Sequence, residues 1–433
     1  MEALMKRSIV AILLFFMNCN IPSLCSDEDI SEVQPEQIHL SFTGNPTELM
    51  VTWSTENTTL AVVEYGQDRK LTLTAKGSTT KFINGGIQKS TQYIHRVKLT
   101  GLEPDKTYFY HCGSPDGWSE MFWFQSQPTG NKWSPKFAVY GDLGNVNSRS
   151  MGRLQHETQS GYYDAVLHVG DFAYDLDSRN GKVGDEFMRQ IEPIAAYIPY
   201  MTCVGNHEER YNFSNYKNRF TMPNYEKTEN LWYSWNIGPA HIIAFSTEVI
   251  FFQDYGKFLI DEQMKWLEQD LQEANKNRKE QPWIITIGHR PMYCSNINLS
   301  ADCRKRESLI KAAFEDLFYK YGVDLEIYGH EHAYERLFPV YNRTVYNGST
   351  DNPYTDPKAP VHIITGSPGN KELITPLSVK KMEWDAFRSM DYGYSRMHVL
   401  NETHLYFEQV SDNQDGKVID KVMIIKNAHG PYN

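Results

Sequence analysis

The chain has 433 residues and a formal net charge of −11, without a long run of Lys or Arg. Such an acidic chain is not typical of proteins that bind the phosphate backbone of nucleic acids, so we expect no nucleic-acid partner. The length exceeds that of one typical hydrophobic core, and two domains are therefore the default expectation.

The first 25 residues have the three parts of a secretory signal peptide. Lys6 and Arg7 are basic, residues 8–17 are apolar, and small residues precede Ser26. A membrane helix near the start is the alternative, but the apolar run is well short of the ~20 residues that span a bilayer. No later segment is long and apolar enough to span one. We therefore predict an exported protein without a membrane span, either extracellular or lysosomal.

Export is consistent with six Asn-X-Ser/Thr triplets, each a potential glycosylation site. They begin at Asn57, Asn212, Asn298, Asn342, Asn347 and Asn401. Among the cysteines after residue 25, Cys294 and Cys303 lie close together in a polar loop and form a plausible disulfide. Cys112 and Cys203 could be free, buried or paired. Structural zinc is not expected, because the sequence has no Cys-X-X-Cys pair.

Residues 34–127 follow an all-β pattern. Two early strands alternate at period two: Ile38, Leu40 and Phe42, and then Leu49, Val51 and Trp53. Residues 102–110 indicate a tyrosine-bearing corner that leads into a strand. Together with Trp53, this corner predicts a fibronectin type III-like sandwich. Its polar side chains show no catalytic clustering, so we favour a packing and orienting role over a ligand-binding one.

Residues 128–135 form a turn-rich linker, and the pattern changes after it. Residues 136–433 alternate strands with helical stretches, which is typical of an α/β domain with parallel strands. Two helical stripes are predicted to face the core: Ile260, Met264, Leu267 and Leu271, and then Leu309, Ala312, Ala313 and Leu317. Later strands at residues 361–366, 405–407 and 418–425 are predicted to complete a second sheet behind the first.

Five apolar runs of this domain each end in a glycine that precedes a potential metal ligand. The pairs are Gly141-Asp142, Gly170-Asp171, Gly205-Asn206, Gly288-His289 and Gly329-His330, with Tyr174 and His332 close behind. A glycine at each junction permits positive φ and close backbone approach, so the chain can turn sharply. In an open α/β sheet the carboxyl ends of the strands line one crevice, where we expect these side chains to meet.

The candidate ligands are seven donors of mixed oxygen and nitrogen type. They are Asp142, Asp171, Tyr174, Asn206, His289, His330 and His332. Seven donors are too many for one catalytic zinc with an open position. They suit two metals about 3.5 to 4 Å apart that share a bridging carboxylate. The residues therefore predict a two-metal site.

The five motifs in this order, with Tyr174 three residues after Asp171, resemble those of the purple acid phosphatases within the calcineurin-like metallophosphoesterases. The resemblance extends from the sandwich to about Gly416. It implies a catalytic α/β domain of two packed mixed sheets flanked by helices. It also implies the ligand roles: Asp142, Tyr174 and His332 for a ferric ion, Asn206, His289 and His330 for a divalent zinc, manganese or iron, and Asp171 as the bridge.

His207 is similar to the substrate-facing histidine of that family, which contacts phosphate and protonates the leaving group. Asp175, Glu208 and Glu335 are expected either behind the ligands or as exposed, solvated carboxylates. Plant members carry further histidines in the loop after the fourth motif, whereas residues 291–296 contain none. In this respect the chain resembles the animal long-chain members.

The resemblance implies an acid phosphatase that hydrolyses small phosphate monoesters, or phosphoproteins, with a metal-bound hydroxide. Activity is expected to fall as pH rises through neutrality, because His207, with a reference pKa of about 6.5, donates a proton only while charged. A secreted phosphodiesterase or nucleotide pyrophosphatase on the same metal scaffold is one alternative. A non-catalytic cell-surface binding protein is another, although such a protein should have lost ligands and all seven are present.

Overall fold

A computed structural model describes residues 32–299 and 301–432 of the chain. The predicted signal peptide, residues 1–25, lies outside the described residues. Within the described ranges, no helix combines the length and the apolar composition that a membrane crossing requires. The domain limits of 34–127, 128–135 and 136–433 stay a prediction.

The described chain begins with a β-sandwich of two antiparallel sheets. Its strands are β1 Glu36–Phe42, β2 Leu49–Thr55, β3 Val62–Gly66, β4 Leu73–Lys76, β5 Ser78–Ile83, β6 Thr91–Leu99, β7 Thr107–Ser114, β8 Gly117–Trp118 and β9 Phe122–Gln125. One sheet has the order β1-β2-β6-β5, and the other has the order β4-β3-β7-β8, with β9 also paired to β7. The predicted sandwich is confirmed.

The predicted corner of the sandwich is closed by a tyrosine. The Tyr108 hydroxyl accepts a hydrogen bond from the Glu103 N–H at 2.9 Å, and the ring is buried. Trp53 is buried between the sheets, stacked on His95. A hydroxyl that bonds back to the upstream backbone is typical of immunoglobulin-like sandwiches. The closer likeness to fibronectin type III domains stays a prediction.

The sandwich is held against the α/β domain by buried and partly buried polar contacts. The Ile38 N–H donates to Glu192 Oε2 at 2.9 Å. The Tyr110 hydroxyl donates to the Ala196 carbonyl at 2.7 Å. The polar face of β1 also contacts the α/β domain, since the Ser41 hydroxyl donates to the Thr221 carbonyl, and nearly all of β1 is buried. This is the arrangement that a packing and orienting module requires.

The α/β domain is built on two mixed sheets that share one hydrophobic core. Its strands are β10 Lys136–Tyr140, β11 Ala165–Val169, β12 Tyr200–Cys203, β13 Tyr233–Ile237, β14 Ala240–Ala244, β15 Trp283–Ile287, β16 Leu325–Tyr328, β17 Tyr334–Leu337, β18 Val340–Tyr341, β19 Thr344–Val345, β20 Val361–Thr365, β21 Asp385–Ser389, β22 Gly393–Val399, β23 His404–Ser411 and β24 Lys417–Ile425. The first sheet has the order β12-β11-β10-β22-β23-β24. The second has the order β13-β14-β15-β16-β20-β17-β21, and β18 and β19 form a separate hairpin.

The prediction that the late strands complete a second sheet behind the first is confirmed for residues 361–365 and wrong for residues 405–407 and 418–425. Residues 405–407 and 418–425 lie in β23 and β24, which extend the first sheet beyond β22. Residues 361–365 form β20, which pairs with β16 in the second sheet. The physical reason is edge pairing: β22 runs antiparallel to β10 and satisfies backbone groups that would otherwise be an open edge.

Helices cover the sheets, and the two predicted stripes differ in outcome. The α-helices are Met151–Gln159, Lys182–Ala195, Arg210–Arg219, Tyr225–Thr228, Phe258–Lys276 and Asp316–Tyr321. In the long helix Leu267 and Leu271 are buried as predicted, while Ile260 and Met264 are only partly buried.

The prediction that the second stripe faces the core was wrong, because Leu309 is exposed and Ile310, Phe314 and Phe318 are buried instead. A π-helical turn at Lys311–Glu315 changes the winding, so these larger side chains, four residues apart, share the inner face.

The predicted disulfide forms between Cys294 and Cys303, whose Cα atoms are 5.4 Å apart. Cys112 and Cys203 are buried, and neither pairs with another described cysteine. Burial raises the pKa of both thiols, so they stay protonated. The disulfide closes the loop that follows β15.

Glu326 is a carboxylic acid buried in β16. Burial raises its pKa from 4.5 to about 8, although the Tyr328 hydroxyl donates to it at 2.6 Å and favours the charged form. A folded-state pKa above the unfolded value means that the folded chain binds the extra proton. The contribution of Glu326 to folding is therefore fully present at low pH and is lost as pH rises from about 4.5 to about 8.

We expect Glu326→Gln to remove this part of the pH dependence, because the amide stays neutral. Between pH values of about 5 and about 8, the wild type should lose on the order of a few kcal/mol more unfolding free energy than the variant. Urea denaturation of both proteins at the two pH values measures the difference. Glu383→Gln, at an exposed position, is the matched control. An equal loss in the wild type and in Glu326→Gln would contradict this assignment.

Candidate metal centre

The ligand-bearing loops follow five strands drawn from both sheets. In the first sheet, Asp142 follows β10, Asp171 and Tyr174 follow β11, and Asn206 and His207 follow β12. In the second sheet, His289 follows β15, and His330 and His332 follow β16. The two sheets meet at these ends, since the His330 N–H donates to Asp142 Oδ2 at 2.8 Å. The predicted crevice therefore lies between two sheets, at the carboxyl ends of their parallel strands.

The motif glycines act mainly by allowing close approach. A Cβ on Gly170 would lie 2.5 Å from His289 Nδ1, and one on Gly329 would lie 2.5 Å from Asp142 Oδ2. Of the five motif glycines, only Gly170 has a positive φ, of 88°. The left-handed conformation falls instead on Asp142, Asp171, Tyr174 and His330, with φ between 52° and 66°. Four of the five glycines thus serve the close approach without a positive φ, and the ligands themselves carry the backbone strain.

Asp142, Tyr174 and His332 form one contact group. The Tyr174 hydroxyl donates to Asp142 Oδ1 at 3.2 Å and lies 2.8 Å from His332 Nε2. The same His332 nitrogen is 3.5 Å from Asp142 Oδ1. All three residues are buried. The structure therefore brings the three residues predicted for a ferric ion to one point.

Asp171, Asn206, His289 and His330 form the second contact group. Asp171 Oδ2 is 3.1 Å from His289 Nε2, and Asn206 Oδ1 is 3.2 Å from the same nitrogen. One ligand atom each of Asp171, His289 and His330 lies within 4.8 Å of the other two. Because His330 also bonds to Asp142, the two groups adjoin. All seven predicted ligands are thus brought together, and their individual roles stay a prediction.

Backbone carbonyls orient two of the imidazoles. His289 Nδ1 is 2.8 Å from the Val169 carbonyl, and His332 Nδ1 is 2.8 Å from the Leu373 carbonyl. Each Nδ1–H donates to its carbonyl, which leaves the Nε2 lone pair directed at the other donors. Metal-binding histidines are held in this way. The set of carboxylates, phenol, amide oxygen and oriented imidazoles therefore fits a pair of metal ions.

Asp171 is the electrostatic centre of the second group. Burial by itself raises the pKa of Asp171, but the charge and hydrogen bond of His289, with His207 and His330, outweigh it and lower the pKa. Conversely, burial lowers the pKa of His289, but Asp171 outweighs it and raises the pKa to about 10. Burial and the Arg290 guanidinium lower the pKa of His330. The site thus keeps an anionic carboxylate that attracts positive charge, as a bridging ligand must.

His207 lies beside both groups. Its Nε2 is 4.0 Å from Asp171 Oδ2, and its ring centroid is 4.4 Å from that of Tyr174. Its Nδ1 is 2.6 Å from Asp175 Oδ1. Burial alone lowers the pKa of His207, but the hydrogen bond to Asp175 and the charge of Asp171 raise it to about 9. These side chains favour the imidazolium beyond neutral pH, in contrast to the expectation from the reference value.

Of the three other carboxylates expected near the site, two are buried and one is half-buried. Glu208 is buried and accepts backbone N–H groups from the loops after β11 and β12 at 2.9 to 3.0 Å. Glu335 is buried and accepts the Ser295 N–H at 3.1 Å and hydroxyl at 2.6 Å. Asp175 is half-buried against His207. Glu208 therefore ties two ligand loops together, while Glu335 braces the loop after β15.

Residues 370–375, called the 370–375 segment below, were missed by sequence reasoning. Lys371 Nζ donates to the Tyr174 carbonyl at 2.8 Å, and Thr375 Oγ1 accepts the His332 N–H at 2.9 Å. The segment has no glycine-ligand motif, and many of its contacts use backbone atoms. No signal in the sequence could therefore have identified it.

An open cavity of about 540 Å³ lies over the ligands. One wall is the loop after β15, with Asn296 and Lys305, and another is the 370–375 segment, with Glu372. The cavity also contacts His207. A second cavity of about 560 Å³, around Arg96 at the boundary with the sandwich, contains no predicted ligand. The cavity over the ligands is therefore the candidate substrate site.

Two adjoining groups of metal-type donors, at the meeting ends of two mixed sheets and beneath an open cavity, define a metallophosphoesterase. Consistent with this class, residues 135–334 match the family model described as calcineurin-like phosphoesterase. Residues 35–126 match that of the purple acid phosphatase N-terminal domain, and residues 359–421 that of an iron/zinc purple acid phosphatase-like protein C. The chain belongs to the purple acid phosphatase family, and it is a phosphatase.

Similar proteins cover most of the chain. It is 55% identical over 405 residues to acid phosphatase type 7 of Homo sapiens, with 92% of each chain covered. It is 32% identical over 422 residues to Fe(3+)-Zn(2+) purple acid phosphatase 12 of Arabidopsis thaliana, covering 91% of this chain and 85% of the relative. A purple acid phosphatase from yellow lupin, at 24% identity, superposes with a TM-score of 0.79 over 91% of this chain and 74% of that one. The last comparison shows the shared fold.

Proposed function

We propose that the protein hydrolyses phosphate monoesters at acidic pH at a binuclear centre of Fe(III) and a divalent metal. The observation that carries the proposal is the convergence of the seven donors in two adjoining groups. A phosphate ester as substrate follows from membership of a phosphatase family.

The two groups differ in the ion that they suit. Asp142 and the Tyr174 phenolate are hard, anionic oxygen donors, which favour a ferric ion. The amide oxygen of Asn206 and the imidazoles of the second group suit divalent zinc, manganese or iron. Asp171 would bridge them, and a relative named for Fe(3+) and Zn(2+) supports this pairing. The two ions, when bound, would polarise the phosphoryl oxygens and ionise an attacking water at low pH.

The side chains around the ligands supply position and a proton. Asp175 holds His207 Nδ1 at 2.6 Å, so Nε2 is the nitrogen that can donate to the leaving alkoxide. The cavity is open and admits the ester to the ligand groups. In-line attack on phosphorus needs little more from a protein than orientation, charge and this proton. His207 is therefore assigned as the general acid.

Metal analysis of the purified protein, with a visible spectrum and two hydrolysis assays, tests the proposal. We expect iron and a divalent metal in equal amounts and faster hydrolysis of a phosphate monoester than of a diester at acidic pH. Hydrolysis of the diester at a comparable rate would favour a phosphodiesterase. Metal-loaded protein that hydrolyses neither would favour a binding protein.

Tyr174 offers a test by colour. A phenolate on ferric iron absorbs visible light by charge transfer, so the wild type should be violet to pink. Tyr174→Phe should abolish the colour but leave six ligands to hold the metals and retain part of the hydrolysis, because the phenolate tunes the iron and does not attack phosphorus. Tyr162→Phe, at an exposed tyrosine, is the matched control. Colour that survives in Tyr174→Phe would exclude the tyrosinate assignment.

We also propose that the chain is exported and glycosylated. The Cys294–Cys303 disulfide is typical of oxidising compartments. Exposed triplet asparagines support glycosylation: Asn57, Asn298, Asn342, Asn347 and Asn401. N-terminal sequencing of the protein made in animal cells tests the export step, and retention of residues 1–25 would count against it.

A further inference from the structure

Glu372 is an acidic side chain that the 370–375 segment places next to His207. The segment is anchored by Asn370, whose Nδ2 donates to the Asp142 carbonyl at 3.0 Å, and by the contacts described above. Glu372 Oε1 lies 3.5 Å from His207 Nε2. The segment that carries this carboxylate is therefore held in place by the same loops that carry the ligands.

Glu372 lies on the side of His207 where a leaving group would depart. His207 Nε2 has Asp171 Oδ2 at 4.0 Å on the ligand side and Glu372 Oε1 at 3.5 Å in the cavity wall. An ester bound through its phosphoryl group at the ligands must place its bridging oxygen near Nε2 to be protonated. The rest of the leaving group then extends into the cavity beside Glu372.

The Glu372 carboxylate is accessible to a ligand in the cavity. Its side chain is 47% exposed, and its ion-pair partner within residues 32–299 and 301–432 is His207. The neighbouring Lys371 ammonium is engaged elsewhere, since it donates to the Tyr174 carbonyl at 2.8 Å and lies 3.7 Å from Asp175. No Lys or Arg in the described chain therefore neutralises this carboxylate by direct pairing.

Most of the other charged side chains in the cavity are already bonded. Arg290 Nε donates to both carboxylate oxygens of Glu248 at 3.0 Å. Asp302 accepts backbone N–H groups of the helical turn that follows it, and Glu331 accepts an amide of the loop after β15. Lys305 is the exception, with an exposed side chain on the wall formed by that loop. Glu372 and Lys305 are thus the two candidates for selecting a substrate by charge.

We propose that Glu372 is a specificity-determining residue that selects substrates by the charge of the leaving group. It attracts a leaving alcohol that carries a protonated amine or a quaternary ammonium group, and it repels one that carries a carboxylate or a second phosphate. The favoured class is phosphate monoesters of amino alcohols. The inference rests on the proposed function, because it takes His207 as the residue that faces the leaving group.

Three alkyl phosphates that differ in leaving-group charge test this role: phosphocholine, glycerol 3-phosphate and 3-phosphoglycerate. Relative to the wild type, E372Q should lower kcat/KM for phosphocholine and raise it for 3-phosphoglycerate, with glycerol 3-phosphate between them. A unit charge ~5 Å from a partly exposed carboxylate should change each value roughly fivefold. The ratio of variant to wild type for each ester cancels differences in intrinsic reactivity. E372K should shift both values further in the same directions.

Two controls separate charge selection from other causes. Glu383→Gln makes the same chemical change at an exposed position outside the cavity and should leave all three values as in the wild type. Lys305→Gln tests the other candidate, whose positive charge would favour an anionic leaving group. An equal change for all three esters in E372Q would overturn the role of Glu372 and assign it to orienting His207. A shift in preference with Lys305→Gln and not with E372Q would also overturn it. Wild-type enzyme inactive on all three esters would instead refute the proposed function.

Discussion

Asp171→Ala is expected to lower the occupancy of both metal positions and to reduce phosphatase turnover by about 1000-fold or more. Asp171 is central because its Oδ2 is 3.1 Å from His289 Nε2 and it also lies in the cluster with His330. It is the carboxylate proposed to bridge the two ions, so its loss would remove a ligand from each. Metal content per chain and kcat for a phosphate monoester, measured on the same preparations, give the result.

Asn206→Ala is the matched comparison, because Asn206 contacts His289 within the second group only. It should loosen the divalent metal and leave the ferric ion bound. Asp171 Oδ1 accepts a hydrogen bond from the backbone N–H of His207 at 2.9 Å. Asp171→Asn keeps the side-chain volume and an oxygen that can accept this bond. It therefore tests loss of charge without loss of packing. Two metals per chain and normal turnover in Asp171→Ala would show that the bridging assignment is wrong.

His207→Ala is expected to retain the metals. Its kcat for esters with poor leaving groups should be about 100-fold to 10,000-fold lower than that of the wild type. His207 lies next to the ligand groups but is not one of the seven proposed ligands, so its loss should not empty the site. Asp175 and Asp171 raise the pKa of the imidazole to about 9. An alkoxide needs the proton more than a nitrophenolate does, so the loss should be smaller for p-nitrophenyl phosphate. Single-substrate kinetics on an alkyl and a nitrophenyl ester measure the difference.

Metal analysis accompanies this comparison, because an empty site would also slow the reaction. Equal losses for good and poor leaving groups in metal-loaded His207→Ala would argue against the acid role. Such a result would leave His207 as a residue that binds the phosphoryl group. Retained colour in the variant would show independently that the ferric site is intact.

The candidate ligands could be found from the sequence because each is encoded locally. An apolar run, a glycine and a donor follow one another within a few residues at Asp142, Asp171, Asn206, His289 and His330. A strand that ends in such a turn directs the next side chain to the edge of the sheet, whichever sheet it belongs to. The prediction of a shared crevice is therefore correct, although the sheet that contains residues 405–407 and 418–425 was predicted wrongly. The sandwich was predictable for a similar reason, because its alternation and its Tyr108 corner are short-range patterns.

The sequence by itself thus determined the two-domain organisation, the Cys294–Cys303 pairing and which side chains could bind metals. Only the tertiary structure decided the division of the strands between two sheets, the buried face around the π-helical turn at Lys311–Glu315, and the position of Glu372 beside His207. These features depend on contacts between segments far apart in the chain; Glu372 and His207, for example, are 165 positions apart. Long-range packing of this kind leaves no periodic signal in either segment, because each is stabilised by the other and not by its own neighbours.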